Sequence, residues 1–84
     1  IDVYTPLPGL PIYEIAKVRK NSPAMQAGLS KGDQLIMING VSANRYTLND
    51  IIELFHSKPG RKMRLFVQRY NKIFKAEFSL DQTL

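Results

Sequence analysis

The stretch from residue 22 to residue 40 constrains the fold more than any other part of this chain, and it reads SPAMQAGLSKGDQLIMING. Ser22 can cap the free amide groups of a short helix, and the proline after it loses no hydrogen bond at the first helical position. Gly28 can adopt the left-handed conformation that ends the helix. A turn, a short apolar strand and a tight reversal at Asn39 and Gly40 are predicted to follow.

The N-terminal part predicts two strands joined by a loop. Residues 1–4 alternate weakly, and residues 5–11 hold three prolines and a glycine, which no regular element tolerates. Ile12–Lys20 is rich in residues that favour strands. Ile15 and Val18, however, are three positions apart and cannot share one face of an unbroken strand. We therefore expect a bulge or bend between them.

A second helix is predicted after Thr47, which can act as its cap, with Asp50 as a short-armed capping-box partner. The apolar residues of 48–55 span an arc of roughly 160°, wider than the ~100° that a helix resting on one core requires. Two interpretations are open. Either the helix is deeply buried, or one apolar edge of it lines a groove.

The chain ends in an alternating pair of segments, Met63–Gln68 and Ile73–Leu80, which predicts a hairpin. A loop at residues 70–71 would pair Val67 with the residue at 74, whereas a loop one position later would pair it with the residue at 76. Both keep inward side chains opposite each other. We prefer the first loop because it places Asn71 where a positive φ is useful.

Composition limits the functional classes. Residues 1–84 fit a single domain, and a start at Ile1 rather than Met suggests a module cut from a larger protein. The absence of cysteine excludes disulfides, zinc fingers and thiol nucleophiles. No segment approaches the ~18 apolar residues that a membrane span needs.

The basic residues are unevenly distributed. The chain carries a net charge of +5, and no acidic residue interrupts the stretch from Lys58 to Lys75. This region also contains aromatic and apolar side chains among its basic residues, namely Phe66, Tyr70 and Ile73 among Arg64, Arg69 and Lys75. Such a surface could bind nucleic acid or another polyanion, or it could be a solvated strand face.

The stretch 22–40 closely resembles the central signature of PDZ domains. The matching residues are Ser22, Pro23, Ala24, Ala27, Gly28, Leu29, Gly32, Asp33, Leu35, Ile38, Asn39 and Gly40. The order of strand, short helix, strand, longer helix and hairpin resembles the bacterial, circularly permuted type of this family. The resemblance implies an α+β fold, a partly open barrel or sandwich of about five to six strands capped by one short and one longer helix.

The same resemblance implies that extended peptides, often a free C terminus, bind by strand addition between the N-terminal strand and the second helix. The positions that match the family's groove are Ile1 and Val3 on the strand and Leu48, Ile52 and Phe55 on the helix. The wide apolar arc of the helix then has an explanation, because its remaining apolar residues face the core.

The expected ligand is a peptide or protein C terminus with an apolar terminal residue. Family members that prefer Ser or Thr two residues before the peptide terminus often carry His where this chain has Leu48, and Leu48 cannot form a hydrogen bond. The family's carboxylate-binding loop is expected upstream of Ile1. Residues 8–11 are a poor substitute, because they lie too near the Ile12 strand and their prolines remove amide donors.

Catalysis by this chain is not expected. His56 is the only histidine and lies near a helix end, where a cation interacts favourably with the helix dipole. No serine stands in a recognisable nucleophile setting, and the Asp-Thr-Gly or Asp-Ser-Gly triplet of retroviral-type aspartic proteases is missing. The acidic residues form no metal-ligand cluster, so neither a metal nor a cofactor is expected.

PDZ modules of the permuted bacterial type resemble those attached to exported proteases. The resemblance therefore implies a non-catalytic part of a bacterial protease, with the parent's protease domain as a partner and a periplasmic or otherwise exported location. The proline-rich entry at residues 8–11 and the turn at 58–60 favour a retroviral-like aspartyl protease as the parent hydrolase.

Overall fold

A computed structural model of the chain describes residues 1–80. The expected domain range of 1–84 includes residues 81–84, which lie outside the described residues. The elements follow in the order β1 (Asp2–Tyr4), β2 (Glu14–Lys17), α1 (Pro23–Gln26), β3 (Gln34–Ile38), β4 (Val41–Ser42), a 3₁₀ turn (Ala43–Arg45), α2 (Leu48–Phe55), β5 (Lys62–Arg69) and β6 (Lys72–Ser79).

The strands form one antiparallel sheet in the order β1-β2-β3-β5-β6, with β4 paired to β3. Within residues 1–80, β1 and β6 end this path, and the two-residue β4 pairs with β3 beside it. α2 packs next to β1, and α1 packs against β6. An open sheet of six strands with one short and one longer helix confirms the predicted α+β fold class.

Helix α1 begins and ends as its sequence predicts. The Ser22 hydroxyl accepts a hydrogen bond from the Met25 amide at 3.2 Å. Gly28 has φ +98°, its amide donates to the Met25 carbonyl at 3.0 Å, and the Leu29 amide donates to the Ala24 carbonyl at 3.2 Å. This pair of bonds is the Schellman motif, which leaves Leu29 buried against the helix.

The predicted capping box of α2 is present. The Asp50 amide donates to Thr47 Oγ1 at 3.1 Å, and the Thr47 amide donates to Asp50 Oδ2 at 3.0 Å. Two amides that the helix cannot bond internally are thereby satisfied. The start of α2 is fixed by local sequence, so its position along β1 is well defined.

The predicted bulge lies at Ala16. Asp2 pairs with Lys17, but the next residue, Val3, pairs with Ile15, so Ala16 is an extra residue in β2. The regular strand is shorter than the expected Ile12–Lys20 span, because pairing is confined to residues 14–17.

The terminal hairpin has the predicted register, but the residue with the positive φ is not the expected one. Val67 pairs with Phe74 and Arg69 with Lys72, so the two-residue loop is Tyr70-Asn71. The positive φ, however, falls on Tyr70, at +57°, and Asn71 has none. The first central residue of this turn has a positive φ and the second does not, which is the φ pattern of a type II′ turn.

The core lies between α2 and the inner face of the sheet. The largest side chains that are completely buried are Ile15, Ile38, Ile51, Met63, Leu65 and Val67. Ile51 and Phe55 are the buried residues that α2 contributes to this core, and Leu54 is half-buried against it.

Candidate functional site

The edge strand β1 pairs with β2 on one side only. Its other side is unpaired in the described part of the chain and runs beside α2. Val3 is buried, whereas the side chains of Asp2 and Tyr4 are exposed. β1 therefore presents free backbone amide and carbonyl groups next to a helix, the arrangement that an additional strand requires.

A cross-strand contact holds β1 against β2. Tyr4 and Glu14 are directly opposite each other, and the Tyr4 hydroxyl donates to Glu14 Oε1 at 3.0 Å. This hydrogen bond, with smaller contributions from burial and from the negative charge of Glu14, raises the pKa of the Tyr4 phenol. The contact fixes the end of β1 that is distant from Ile1.

Helix α2 contributes three apolar side chains that differ in exposure. Leu48 is half-buried at the start of the helix, Ile52 is 37% exposed one turn later, and Phe55 is buried at the end. Ile52 is thus the most accessible apolar side chain of α2, and the exposed polar residues Asn49 and Glu53 follow it around the helix surface.

A pocket of about 100 Å³ lies where the start of β1 meets the end of α2. Ile1 and Phe55 line it together, with Phe78 and Leu80 from the β6 end and the first residues of α1. The lining is mixed, because Ser22, Ser79, Arg19 and His56 contribute polar groups beside the apolar side chains.

His56 is the C-cap residue of α2. Its Nδ1 lies 2.8 Å from the Ile52 carbonyl oxygen, and its backbone amide donates to the Ile52 and Glu53 carbonyls. The imidazole thus completes the hydrogen bonding of the helix end, in line with the helix-end role expected from the sequence. It also places the ring beside the pocket.

The structure brings some of the expected groove residues together and separates others. Ile1 and Phe55 share the pocket, while Leu48 and Ile52 lie further along α2. Val3 belongs to the buried core cluster, so it offers the groove little surface. Sequence reasoning missed Arg19 and Phe78 as pocket residues, because no local pattern connects either residue to Ile1.

The basic hairpin is partly neutralised by its own chain. Arg69 bonds the carboxylate of Asp33, and Lys75 Nζ lies 2.6 Å from Glu77 Oε1. Tyr70 at the turn is 93% exposed and Ile73 is 62% exposed. Two of the cations expected to attract a polyanion therefore already have acidic partners.

No helix within residues 1–80 has the length and apolarity to cross a membrane. The same residues contain no group of three or more His, Cys, Asp or Glu side chains positioned to hold a metal ion.

The geometry agrees with comparisons to known proteins. A family model described as a PDZ domain matches residues 14–69. The chain is 38% identical over 50 residues, 60% of its length, to "Carboxy-terminal processing protease CtpA" of Bacillus subtilis (strain 168), covering 11% of that protein. It is 29% identical over 75 residues, 89% of its length, to "PDZ domain-containing protein 7" of Homo sapiens, covering 7% of that protein. The chain thus spans a small part of each relative.

Proposed function

The chain belongs to the PDZ family, and we propose that it is a non-catalytic module that binds extended peptides by strand addition along the free edge of β1. The single observation that carries the proposal is the position of β1, an edge strand that runs beside α2 and begins at the partly apolar pocket. A peptide in this groove would bond the backbone of β1 and contact α2 with its side chains.

The pocket supports one direction for the peptide. Ile1 and Phe55 in its lining suit an apolar terminal side chain, and the positive charge of Arg19 in the same lining favours a negative charge near it. A free C terminus supplies both features in one residue. The peptide terminus would then lie at Ile1, and the preceding residues would run antiparallel to β1 towards the start of α2.

Helix α2 supports a preference for a particular kind of peptide residue upstream of the terminus. The residue two positions before the terminus would face Leu48, which is half-buried and has no hydrogen-bonding group. An apolar residue there is expected to be tolerated. The exposed Ile52 would contact the peptide between the pocket and Leu48.

A binding experiment with backbone mapping tests this proposal. Peptides ending in Leu or Val with a free carboxylate should shift the amide NMR signals of residues 2–4 and 48–56, and a matched peptide ending in Asp should bind at least about tenfold more weakly. Signals of residues 70–73 at the hairpin turn, which do not line the pocket, serve as the internal control. The proposal fails if no such peptide binds, or if the shifts lie outside β1, α2 and the pocket lining.

The protein that contains this module is proposed to be a protease. The support is the similarity to a protein named as a carboxy-terminal processing protease, in which the matched region is 11% of the length. In that setting the groove would present substrate tails or regulate access to the catalytic domain. The circular permutation, the aspartyl class of the parent and the exported location remain predictions of the sequence resemblance.

Binding of a polyanion by the hairpin is the alternative function. It has less support, because Arg69 and Lys75 are paired with Asp33 and Glu77. Retention on heparin that falls steeply with salt would favour it. Absence of retention at low salt would exclude it.

A further inference from the structure

The second edge of the sheet, β6, is unpaired on its outer side within residues 1–80. β6 is also one of the two longest strands, running from Lys72 to Ser79 without proline, and its exposed side chains include Ile73 at 62% and Phe74 at 42%. Long edge strands with exposed apolar residues readily pair with another strand. The outer edge of β6 is therefore open to a partner strand.

The backbone groups that β6 offers follow from the hairpin register. Arg69 and Lys72 close a two-residue turn, so Lys72 bonds β5, and hydrogen-bonded pairs then recur at every second residue. The Leu80 amide donates to the Arg61 carbonyl at 2.9 Å, which confirms that the even-numbered residues direct their backbone amides and carbonyls towards β5. The odd-numbered residues therefore direct their amides and carbonyls outward, namely Ile73, Lys75, Glu77 and Ser79.

A second copy of the same chain can bond these groups by antiparallel pairing about a two-fold axis. Such an axis is perpendicular to the sheet, so the inner faces of both copies lie on the same side. Side chains that are opposite each other must then both be even-numbered or both be odd-numbered, and the sum of their numbers is even. Among the symmetric registers, those centred on Lys75 and on Ala76 give the longest overlap along β6. The outward groups find partners in both.

Charge distinguishes the two registers. Centring on Lys75 places two lysines directly opposite each other, which is unfavourable. Centring on Ala76 places Lys75 opposite Glu77 of the second copy, and Glu77 opposite its Lys75, so the symmetric pair contains two opposite-charge contacts. The same register places the half-exposed Phe74 opposite Phe78 of the second copy on the inner face, a favourable aromatic pair.

We propose that the chain forms a two-fold symmetric dimer by antiparallel pairing of β6 with β6, centred on Ala76. The interface uses the sheet edge opposite to β1, so the free edge of β1 stays unpaired in both copies, while Phe78 and Ser79 belong both to the interface and to the pocket lining. The dimer would bind two peptides at once and gain avidity for paired or repeated tails. The dimer itself does not depend on the peptide-binding proposal.

Disulfide trapping tests the register, because the chain has no cysteine of its own. Residues that form a hydrogen-bonded antiparallel pair have Cα atoms about 5.5 Å apart, within the range that a disulfide bridges. A mixture of Lys75→Cys and Glu77→Cys should cross-link under mild oxidation into dimers that contain one copy of each. Either variant alone should cross-link at least about fivefold less.

The opposite results overturn the proposal. Cross-linking that is strongest for Lys75→Cys alone would indicate the register centred on Lys75. Absence of any cross-link in the mixture at high protein concentration would indicate that this edge does not pair at all.

Charge exchange provides a second test by sedimentation velocity over a range of concentrations. Lys75→Glu and Glu77→Lys should each weaken dimerisation by at least about fivefold, because each places like charges opposite each other. The double exchange of both residues should restore it, while Lys58→Glu, a control with the same charge change at an exposed position, should leave it unchanged. A monomer at all concentrations, or a double exchange that fails to restore pairing after both single changes weaken it, overturns the proposal.

Amide hydrogen exchange distinguishes a dimer that pairs through β6 from one that pairs through β1. At high concentration the amides of Lys75 and Glu77 should gain protection, and the Ala76 amide, which already bonds β5, should not change. Protection that appears at Asp2–Tyr4 instead would assign the dimer to β1 and overturn the β6 interface.

Discussion

The Arg69 guanidinium donates two hydrogen bonds to the Asp33 carboxylate, from Nε to Oδ1 and from Nη2 to Oδ2, each 2.8 Å long. Arg69 Nη2 also donates to the Gly28 carbonyl at 2.6 Å, and the Asp33 carboxylate accepts the Ser30 amide at 2.9 Å. This cluster joins the turn after α1 to the end of β5. The bond to Asp33 raises the pKa of Arg69, so the guanidinium remains charged throughout the neutral range.

Removal of Arg69 should destabilise the fold. Arg69→Ala removes both guanidinium donors from the Asp33 carboxylate, which is 1% exposed. The carboxylate keeps its hydrogen bond from the Ser30 amide. We expect a loss of about 2–3 kcal/mol in the free energy of unfolding, at the lower end for a broken ion pair because Arg69 is partly in water. Urea unfolding measures it, with Lys58→Ala as an exposed control that should change stability by less than about 0.5 kcal/mol. Equal effects of both changes would contradict a structural role for the cluster.

A glycine at position 70 of the hairpin turn should stabilise the fold. Tyr70 has φ +57° and is 93% exposed, so it bears backbone strain without packing its ring. Tyr70→Gly should raise the free energy of unfolding by about 0.5 kcal/mol, since relief of roughly 1–2 kcal/mol exceeds the entropic cost of glycine. Asn71→Gly, at the neighbouring position with no positive φ, should lower it. Thermal unfolding of the pair decides the matter, and the reverse ranking would exclude this turn geometry.

The first residue of α2 should control selectivity. Leu48→His introduces a hydrogen-bonding group beside the proposed peptide position two residues before the terminus. Affinity for peptides with Ser or Thr at that position should rise by about fivefold relative to apolar ones, the equivalent of one hydrogen bond. Fluorescence polarisation with the two peptide classes measures the ratio. An unchanged ratio would show that Leu48 does not face the peptide.

The exposed side of α2 should carry peptide affinity without carrying stability. Ile52→Lys should weaken binding by about three- to sixfold, because the part of the side chain that is exposed in the free protein, 37%, would lose its contact with the peptide. Its unfolding free energy should change by less than about 1 kcal/mol, because the aliphatic stem of lysine can cover the same surface while its charge stays in water. Glu53→Gln raises the net charge by the same amount at an exposed position about 100° further round α2 and should bind normally. If both variants lose affinity alike, the effect is one of general charge.

Acid should weaken the contact between Lys75 and Glu77. The hydrogen bond and charge of Lys75, with a smaller effect from Arg64, hold the pKa of Glu77 below its ordinary value. The contact therefore stabilises the folded protein fully above the ordinary carboxyl pKa. This stabilisation disappears as pH falls through the lowered pKa of Glu77 in the folded protein. In Lys75→Ala the Glu77 pKa should rise towards its ordinary value, as measured by carboxyl carbon NMR during titration. A Glu77 pKa that does not move would show that the ion pair is absent in solution.

Local signals allowed much of the fold to be predicted. The caps at Ser22 and Thr47, the helix end at Gly28 and the bulge between Ile15 and Val18 each depend on residues close in sequence, and all are present. The hairpin register was also predicted, but the residue with positive φ was not. Tyr70 adopts that conformation because strand pairing fixes the loop, which overrides the preference of Asn71.

The candidate site was less predictable, because it joins segments from the whole chain. Ile1 and Phe55 were expected near each other from the family resemblance, and they line one pocket. Phe78 and Arg19 reach the same pocket through the packing of α1 against β6, which no periodicity reveals. The burial of Val3 likewise depends on how closely α2 packs next to β1.

Phe55 has two roles at once, because it is part of the buried core and also a wall of the pocket. A change in its size alters the space for a terminal side chain and the packing of α2 together. Ile52 and Leu48 carry less of the core, so substitutions there can change ligand preference at a smaller cost in stability. During divergence of such modules, new specificities are therefore expected to arise first at Leu48 and Ile52, with Phe55 changing only in sequences that have stability to spare.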